Sequence, residues 1–278
     1  MPVVATNTSA NTAINYLNQN SFEQSKSLSK LSSGSRIVSA SDDAAGLAVA
    51  SRIQADLSVM DQAARNVTQG RAVLQTADGA LSNIGDILQR MKSLAAQSIS
   101  GSVTNTERGF IDAEYQQLIT EINAIETSTT FNGASLLDGS YNENFLVGPD
   151  EVNDLLVVDF TAAGEDIDVD VASLYGTAAG NLTTSTAAAT EADLIDTGID
   201  AISTARSSVG SLISRFEFRG DYLANAIENL EAAKSTITDV DIAAEQSNLV
   251  SKQVLTETAI AALAQANQMK QSLLSLVR

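Results

Sequence analysis

The sequence predicts a mainly α protein: a long antiparallel helical hairpin, or coiled-coil bundle, formed by the N- and C-terminal halves, with a small β-hairpin region in the middle. Three observations carry this. Apolar residues recur at alternating spacings of three and four along one long stretch in each half, which is the face of a packed helix. The chain is 44% hydrophobic but only 4% aromatic, with two prolines and no tryptophan, a composition suited to helices packed along seams rather than to a large globular core. Between the halves the pattern changes to short β-prone runs separated by turn residues.

Residues 1 to about 35 are rich in Asn and Ser and carry a thin apolar stripe at Ile14, Leu17, Leu28 and Leu31, with Ser21 and Gln24 at the intermediate positions. Such a helix is too weakly apolar to stand alone. Ser39 to Asp43 reads as a break, with Ser41 as the N-cap and Asp42 and Asp43 in the first turn, where the helix dipole favours acids. A long helix follows through Leu57, Met60, Ala64 and Val67, slips in phase near Val73 and Leu74, and resumes at Ala77, Leu81, Ile84, Leu88, Met91 and Ala95. Phase slips of this kind adjust the winding of long seams. After a turn at Gly101 to Asn105, with Thr106 as cap, Ile111, Tyr115, Leu118, Ile122 and Ile125 mark a shorter antiparallel helix.

Character changes at Thr127. FNG (131 to 133), LDG (137 to 139) and NFLVG (144 to 148) alternate turns with short runs, and LLVVDF (155 to 160) and IDVDV (167 to 171) read as strands of one or two hairpins. Asp166, Asp168 and Asp170 suggest a calcium loop only superficially, since Val171 and Thr177 stand where that loop needs glycine and a bidentate acid. Gly176 to Thr190 is an Ala/Thr/Gly-rich connector. From Leu194 a second long helix carries Ile195, Ile199, Ile202, Val209, Ile213, Phe216, Leu223, Ile227, Leu230 and Ile237, interrupted at Arg206, Gly220 and Lys234. The last segment, Leu255 to Arg278, has a stripe at Leu255, Ala259, Ala262, Ala266, Met269, Leu273 and Leu276. Its partner within the chain is the helix around Ile14 to Leu31, which is too thin to cover it. Terminal segments stay frayed unless tied down, so burial of this stripe is expected to come from other copies of the chain.

Charge and composition narrow the function. The chain has no cysteine and no histidine, which removes Cys–His and Ser–His nucleophile pairs, thiolate or imidazole metal sites and disulfides. No catalytic, cofactor-binding or metal residue is assigned, and no cofactor is expected. The net charge is −18, and between Arg108 and Arg206 there are 18 acids and no lysine or arginine. An acidic middle and neutral ends exclude nucleic acid and anionic membrane as natural partners. The start, MPVVATNTSANTAINYL, shows no basic cluster followed by an apolar run, so export is expected to proceed without a cleavable signal peptide.

The residues that carry the hairpin also resemble a family, the bacterial flagellins. LSSGSRIVSASDDAAGLAVASRI (31 to 53), QAARN (62 to 66), QTADGAL (75 to 81), LQRMKSLAAQS (88 to 98) and FNGASLL (131 to 137) are similar to its N-terminal half. RSSVGSLISRFE (206 to 217), AKSTITDVDIAAEQSNLVSKQVL (233 to 255) and LAQANQMKQSLLSLVR (263 to 278) are similar to its C-terminal half. The resemblance implies a terminal filament-core domain (1–40 plus 241–278) and a long-helix domain (41–240) holding the β-hairpin and a short variable region at about 130–193. It implies a structural subunit for motility that is exported by the flagellar type III apparatus and self-assembles extracellularly into the filament, the terminal stripes driving polymerisation. Expected partners are other copies of the chain, an export chaperone and a filament cap. A hook–filament junction relative is the alternative, and a carboxylate hydrolase in the short middle is disfavoured for want of paired acids held rigidly apart.

The chain departs from the family pattern in two places: its middle is very short, which implies a thin, smooth filament, and the run after RFE (215 to 217) differs. Phe218 to Leu223 (FRGDYL) replaces the family's run of small residues, and Gly220 sits on the seam, where a bend or a close subunit approach is expected. Many flagellins are recognised by the vertebrate Toll-like receptor for flagellin through an Arg, a Leu four residues on and a Glu on the adjoining helix, positions that Arg90, Leu94 and Glu114 match. Ser93 stands where the stimulating type often has an acid. The plainer expectation is that Arg90 and Glu114 make contacts between neighbouring subunits.

Overall fold

A seven-residue repeat organises the long helices. The computed structural model describes residues 6–150, 152–161 and 180–276, with side chains to residue 272. The elements are α1 (Thr8–Ser33), α2 (Ala44–Ile99), α3 (Asn105–Ser128), β1 (Thr130–Phe131), β2 (Ala134–Ser135), β3 (Asn142–Leu146), β4 (Leu155–Asp159), α4 (Ser185–Thr238) and α5 (Ile242–Leu276). The chain divides into two units, Met1–Ala55 with Asn229–Arg278, and Asp56–Glu228.

In the unit Asp56–Glu228, α2 buries Met60, Val67, Leu74, Leu81, Leu88 and Ala95 at intervals of seven. Three positions after each come Ala63, Gly70, Ala77, Ile84, Met91 and Ser98, also buried. On α4 the same spacing buries Ala188, Ile195, Ile202, Val209, Phe216 and Leu223, with Glu191, Gly198, Ala205 and Leu212 between. Two apolar positions per seven residues, an average of 3.5, is the seam of a left-handed coiled coil. The seam corrects the expected register. Ala63 rather than Ala64 faces inward, Ala205 rather than Arg206, and Leu212 rather than Ile213. The expected phase slip does not exist, because Gly70 holds the seam position that lacked an apolar side chain. Phe216 lies over it: a Cβ at Gly70 would stand 2.5 Å from Phe216 Cε1.

The helices run antiparallel, as exposed pairs along the seam record: Arg71–Glu217 at 3.3 Å, Arg206–Asp78 at 2.9 Å, and Lys92–Asp196. Exposed pairs of this kind add little stability but fix register. Gly220 neither stops nor interrupts α4, and a Cβ there would meet Val67 Cγ1 at an ordinary 3.4 Å. Gly220→Ala is therefore expected to stabilise the chain by up to about 1 kcal/mol, the cost of glycine in a helix interior, as a rise in thermal midpoint followed by circular dichroism.

The ends of these helices are set by side chains that the sequence only partly indicated. Asp43 caps α2, its Oδ1 accepting from Gly46 N at 2.8 Å, while Ser41 is spent on Ser39. Thr104, not Thr106, caps α3 in a capping box with Glu107, the reciprocal arrangement that satisfies two orphan amides at once. Buried Arg108 donates to the carbonyls of Ser98 at 2.8 Å and Ser100 at 3.0 Å, closing the C-terminal end of α2. α4 begins at Ser185, so the last part of the expected connector is helical. Thr184 Oγ1 accepts from Ala187 N, and Tyr115 from α3 donates to the buried Glu191 at 2.9 Å. Leu182 N donates to Asp112 and its carbonyl accepts from Ser98 Oγ, so the residues entering α4 are pinned to α2 and α3.

The middle holds two antiparallel hairpins, β1–β2 and β3–β4. Asn132 (φ 50°) and Gly133 (φ 85°) form the tight turn of the first, the left-handed pair that Asn-Gly adopts at least cost. In the second, Leu156 and Val158 point inward and Leu155 and Val157 outward. Phe145 packs edge-on against Phe216 with centroids 5.7 Å apart, and Tyr141 packs on Phe160 at 5.5 Å. The strand expected at 167–171, and the rejected calcium loop beside it, lie outside the described residues.

In the other unit, α1 and α5 run antiparallel. Asn7 caps α1 through Ala10 N and also donates to Ala266 O at 3.2 Å. At the opposite end Gly34, at φ 70°, ends α1 in the left-handed conformation that glycine adopts freely. The two linkers then zip together: Arg36 N donates to Thr238 O at 2.6 Å and Val240 N to Gly34 O at 3.1 Å. The Arg36 guanidinium caps Ile237 O at 2.8 Å.

Candidate functional site

The unit built from the two termini presents the chain's most unusual surface. The inward face of α1 consists of Ala10, Ala13, Leu17, Asn20, Gln24, Ser27 and Leu31, and that of α5 of Leu249, Lys252, Thr256, Ala259, Leu263, Ala266 and Lys270. Both follow a three-four spacing, but both are mostly small or polar, so the pair is thin. The stripes expected from sequence are displaced from this seam. Leu17, Leu31, Ala259 and Ala266 lie on it. Ile14 is 39% exposed, Leu28 59%, Leu255 45% and Met269 61%, and Ala262 is also exposed. The side chains of Leu273 and Leu276 lie outside the description.

Sequence reading missed further exposed apolar residues here: Tyr16, Phe22, Ile242, Val250, Val254 and Ile260. Their signal was available, because α5 is apolar on more than one face, and following a single register discarded it. Exposed apolar residues on this scale mark an interaction surface. Electrostatics permit that interaction to be with itself. The unit contains eight acids and eight bases, so the whole net charge of −18 falls on Asp56–Glu228. Identical copies of a neutral surface approach without repulsion.

The linkers that hold α1 to α5 carry the most perturbed carboxylates of this unit. Lys26, at 2.7 Å, holds Asp42 far below the usual carboxylate range, helped by the amides of Ser39 and Val38, and Asp42 in turn raises Lys26. Hydrogen bonds from Ser235 and Thr238 lower Asp239. A carboxylate depressed in the folded state contributes stability that is present above its unfolded pKa and lost as pH falls towards the folded value. The terminal pair is therefore expected to keep its full hold above about pH 5 and to weaken progressively below about pH 4. Circular-dichroism melts of the monomer from pH 6 to 3 check this, and Asp42→Asn should flatten part of the slope.

On the other unit, Arg90 donates to Glu114 from Nε at 2.9 Å and from Nη2 at 2.6 Å, both side chains about half exposed. Leu94 is 2% exposed. The three residues therefore do not form one contact surface: Arg90 and Glu114 present a paired charge and Leu94 belongs to the core beneath. Among the described residues, no group of three or more His, Cys, Asp or Glu is placed to hold a metal ion, and no helix is long and apolar enough to cross a membrane.

Comparison with known proteins bears on these surfaces. Residues 4–142 match the family model for the bacterial flagellin N-terminal helical region, and residues 192–277 that for the bacterial flagellin C-terminal helical region. The chain is similar to the flagellin of Halalkalibacterium halodurans, 39% identical over 254 residues, covering 91% of each chain. It is 36% identical to the flagellin of Listeria monocytogenes over 271 residues, covering 94% of each. Among solved structures, the crystal structure of Bacillus cereus flagellin superposes with a TM-score of 0.50 at 30% identity, over 57% of this chain and 88% of that one.

Proposed function

The chain belongs to the bacterial flagellin family, and from that premise we propose how its two terminal helices build the filament. As a flagellin it is a structural, non-catalytic subunit that self-assembles into the extracellular flagellar filament. The junction-type alternative gains no support from these relatives, which are named flagellins.

The assembly mechanism is carried by one observation: α1 and α5 bury mainly small and polar residues against each other and leave Ile14, Leu28, Leu255, Met269 and their neighbours outside. A pair that thin is only marginally stable as a monomer, since ordering it costs backbone and side-chain entropy that little apolar burial offsets. Each incoming copy supplies the missing apolar surface, so ordering and assembly are coupled. In this reading residues 1–40 with 241–278 form the filament core, 41–240 the surrounding long-helix domain, and the acidic middle faces outward. Export without a cleavable signal peptide, an export chaperone for the unassembled termini and a filament cap complete the reading. A host receptor would meet Arg90 and Glu114 as an ion pair already made within the chain, with Leu94 buried beneath them.

Concentrating the pure protein in the presence of filament seeds and imaging it by electron microscopy tests the function. Long, open-ended filaments are expected. Closed rings or discrete short assemblies would return the junction reading to first place.

A further inference from the structure

Between α1 and α5, on one flank of the thin seam, lies a groove of about 440 Å³ lined by Tyr16, Leu255, Ala13, Ala259 and Ala262, with Gln19, Asn20 and Thr258 as its polar members. Its floor is made by alanines and its rims by two larger side chains, Tyr16 at 60% and Leu255 at 45% exposure. The groove is mainly apolar and uncharged, in a unit of zero net charge. The same unit carries a protruding aromatic residue, Phe22, 69% exposed. Phe22 lies two residues from each of the seam positions Asn20 and Gln24, a rotation of about 200° on a helix, and therefore stands on the back of α1, facing away from α5.

We propose that the groove is a socket for Phe22 of a neighbouring copy, so that the terminal unit polymerises through a directed knob-and-socket contact. The proposal rests on the filament reading above. A knob and a socket on different faces of one molecule make a heterologous contact, which propagates as an open helix wherever its rotation does not close a ring. Size fits: an apolar cavity of roughly 150 Å³ holds benzene, so the groove accepts a phenyl ring together with part of the helix that carries it. No charged residue lines the groove, so the entering ring strands no charge, the costliest group to bury. On one chain the two features cannot meet, since Phe22 is six residues, about 9 Å along the axis, beyond Tyr16 and turned away from the groove.

The chain has no cysteine, which makes cross-linking a clean test. Full-length protein carrying both Phe22→Cys and Ala262→Cys is polymerised, confirmed as filaments by electron microscopy, oxidised, and run under denaturing, non-reducing conditions. An open ladder of covalent dimers, trimers and higher multimers is expected from filaments and none from monomer; each single-cysteine variant should give no ladder. Filaments without a ladder, or dimers from Phe22→Cys alone, would overturn the socket while leaving the filament reading intact. A second measurement covers a double variant that fails to polymerise. Phe22→Ala and Ala262→Trp should each raise the critical concentration for assembly at least tenfold, with Val152→Ala, an exposed change in the other unit, as the control. A critical concentration within twofold of the natural chain for both would also overturn the proposal.

Discussion

Phe216→Ala is expected to destabilise the Asp56–Glu228 unit by about 3–5 kcal/mol, the range for deleting a fully buried ring. At roughly 2–4 °C per kcal/mol for a unit of this size, the thermal midpoint should fall by about 10 °C. The reason is that one ring joins three elements. Phe216 is fully buried, it covers Gly70 on α2 closely enough to exclude a methyl group there, and its edge meets Phe145 of β3. Removing it opens a cavity between two helices and unseats the hairpin, which α4 otherwise holds through Arg219–Asp154 at 3.3 Å, a partly exposed pair. Phe218, two residues on and 75% exposed, is the internal control, and Phe218→Ala should stay within about 0.5 kcal/mol.

The same contact predicts a change of sign. Gly70→Ala alone should destabilise, because the new Cβ would lie 2.5 Å from the ring and overpacking of a filled seam exceeds the gain in helix propensity. In the Phe216→Ala background the obstacle is gone and Gly70→Ala should stabilise by up to about 1 kcal/mol. Chemical denaturation of the four chains of this cycle measures the coupling directly. Simple additivity would mean that the two residues do not touch.

Much of the fold was legible because helices and hairpins leave local traces. The three-four spacing located α2 and α4, the break at Thr127 located the change to β structure, and Asn132-Gly133 signalled a hairpin turn. Errors came where the informative residue has little side chain or where two candidates compete. Gly70 is invisible to an apolar count, so a continuous heptad seam read as a phase slip. Thr104 and Thr106 are equally good caps by type, and only the reciprocal bond from Glu107 decides between them. No local pattern marks Arg108 as the buried group that closes the carbonyl end of α2.

The candidate site was less legible, and for a physical reason. Leu255, Ala262 and Met269 do form a helical stripe, but a stripe says that a face will be buried, not by what. In α5 the face turned to α1 is one step round from it, carrying Lys252, Thr256 and Lys270 as well as Ala259, Leu263 and Ala266. Polar seam residues are tolerable there because their aliphatic stems cover the thin groove while their heads reach water. The more apolar face is thereby left for other copies, an assignment that periodicity alone could not make.

The second large effect follows from that division of faces. Deleting Leu255 to Arg278 removes Leu255, Ile260 and Met269 from the outer apolar surface of α5, together with much of the seam opposite Asn7 to Asn20. It removes nothing from the Asp56–Glu228 unit, whose heptad seam, caps and hairpins are complete without it. The truncated chain should therefore remain soluble and helical through residues 41–240, with only the signal of the terminal helices lost. Its thermal transition for the long-helix unit should stay within a few degrees of that of the full chain. Polymerisation should fail altogether, because among the described residues no other surface combines exposed apolar residues on this scale with zero net charge. Seeded sedimentation of the truncated and full-length chains at matched concentration is the deciding measurement. The account predicts that the truncated chain stays entirely in the supernatant while the full chain pellets as filaments, and truncated protein pelleting as filaments at the same critical concentration would contradict it.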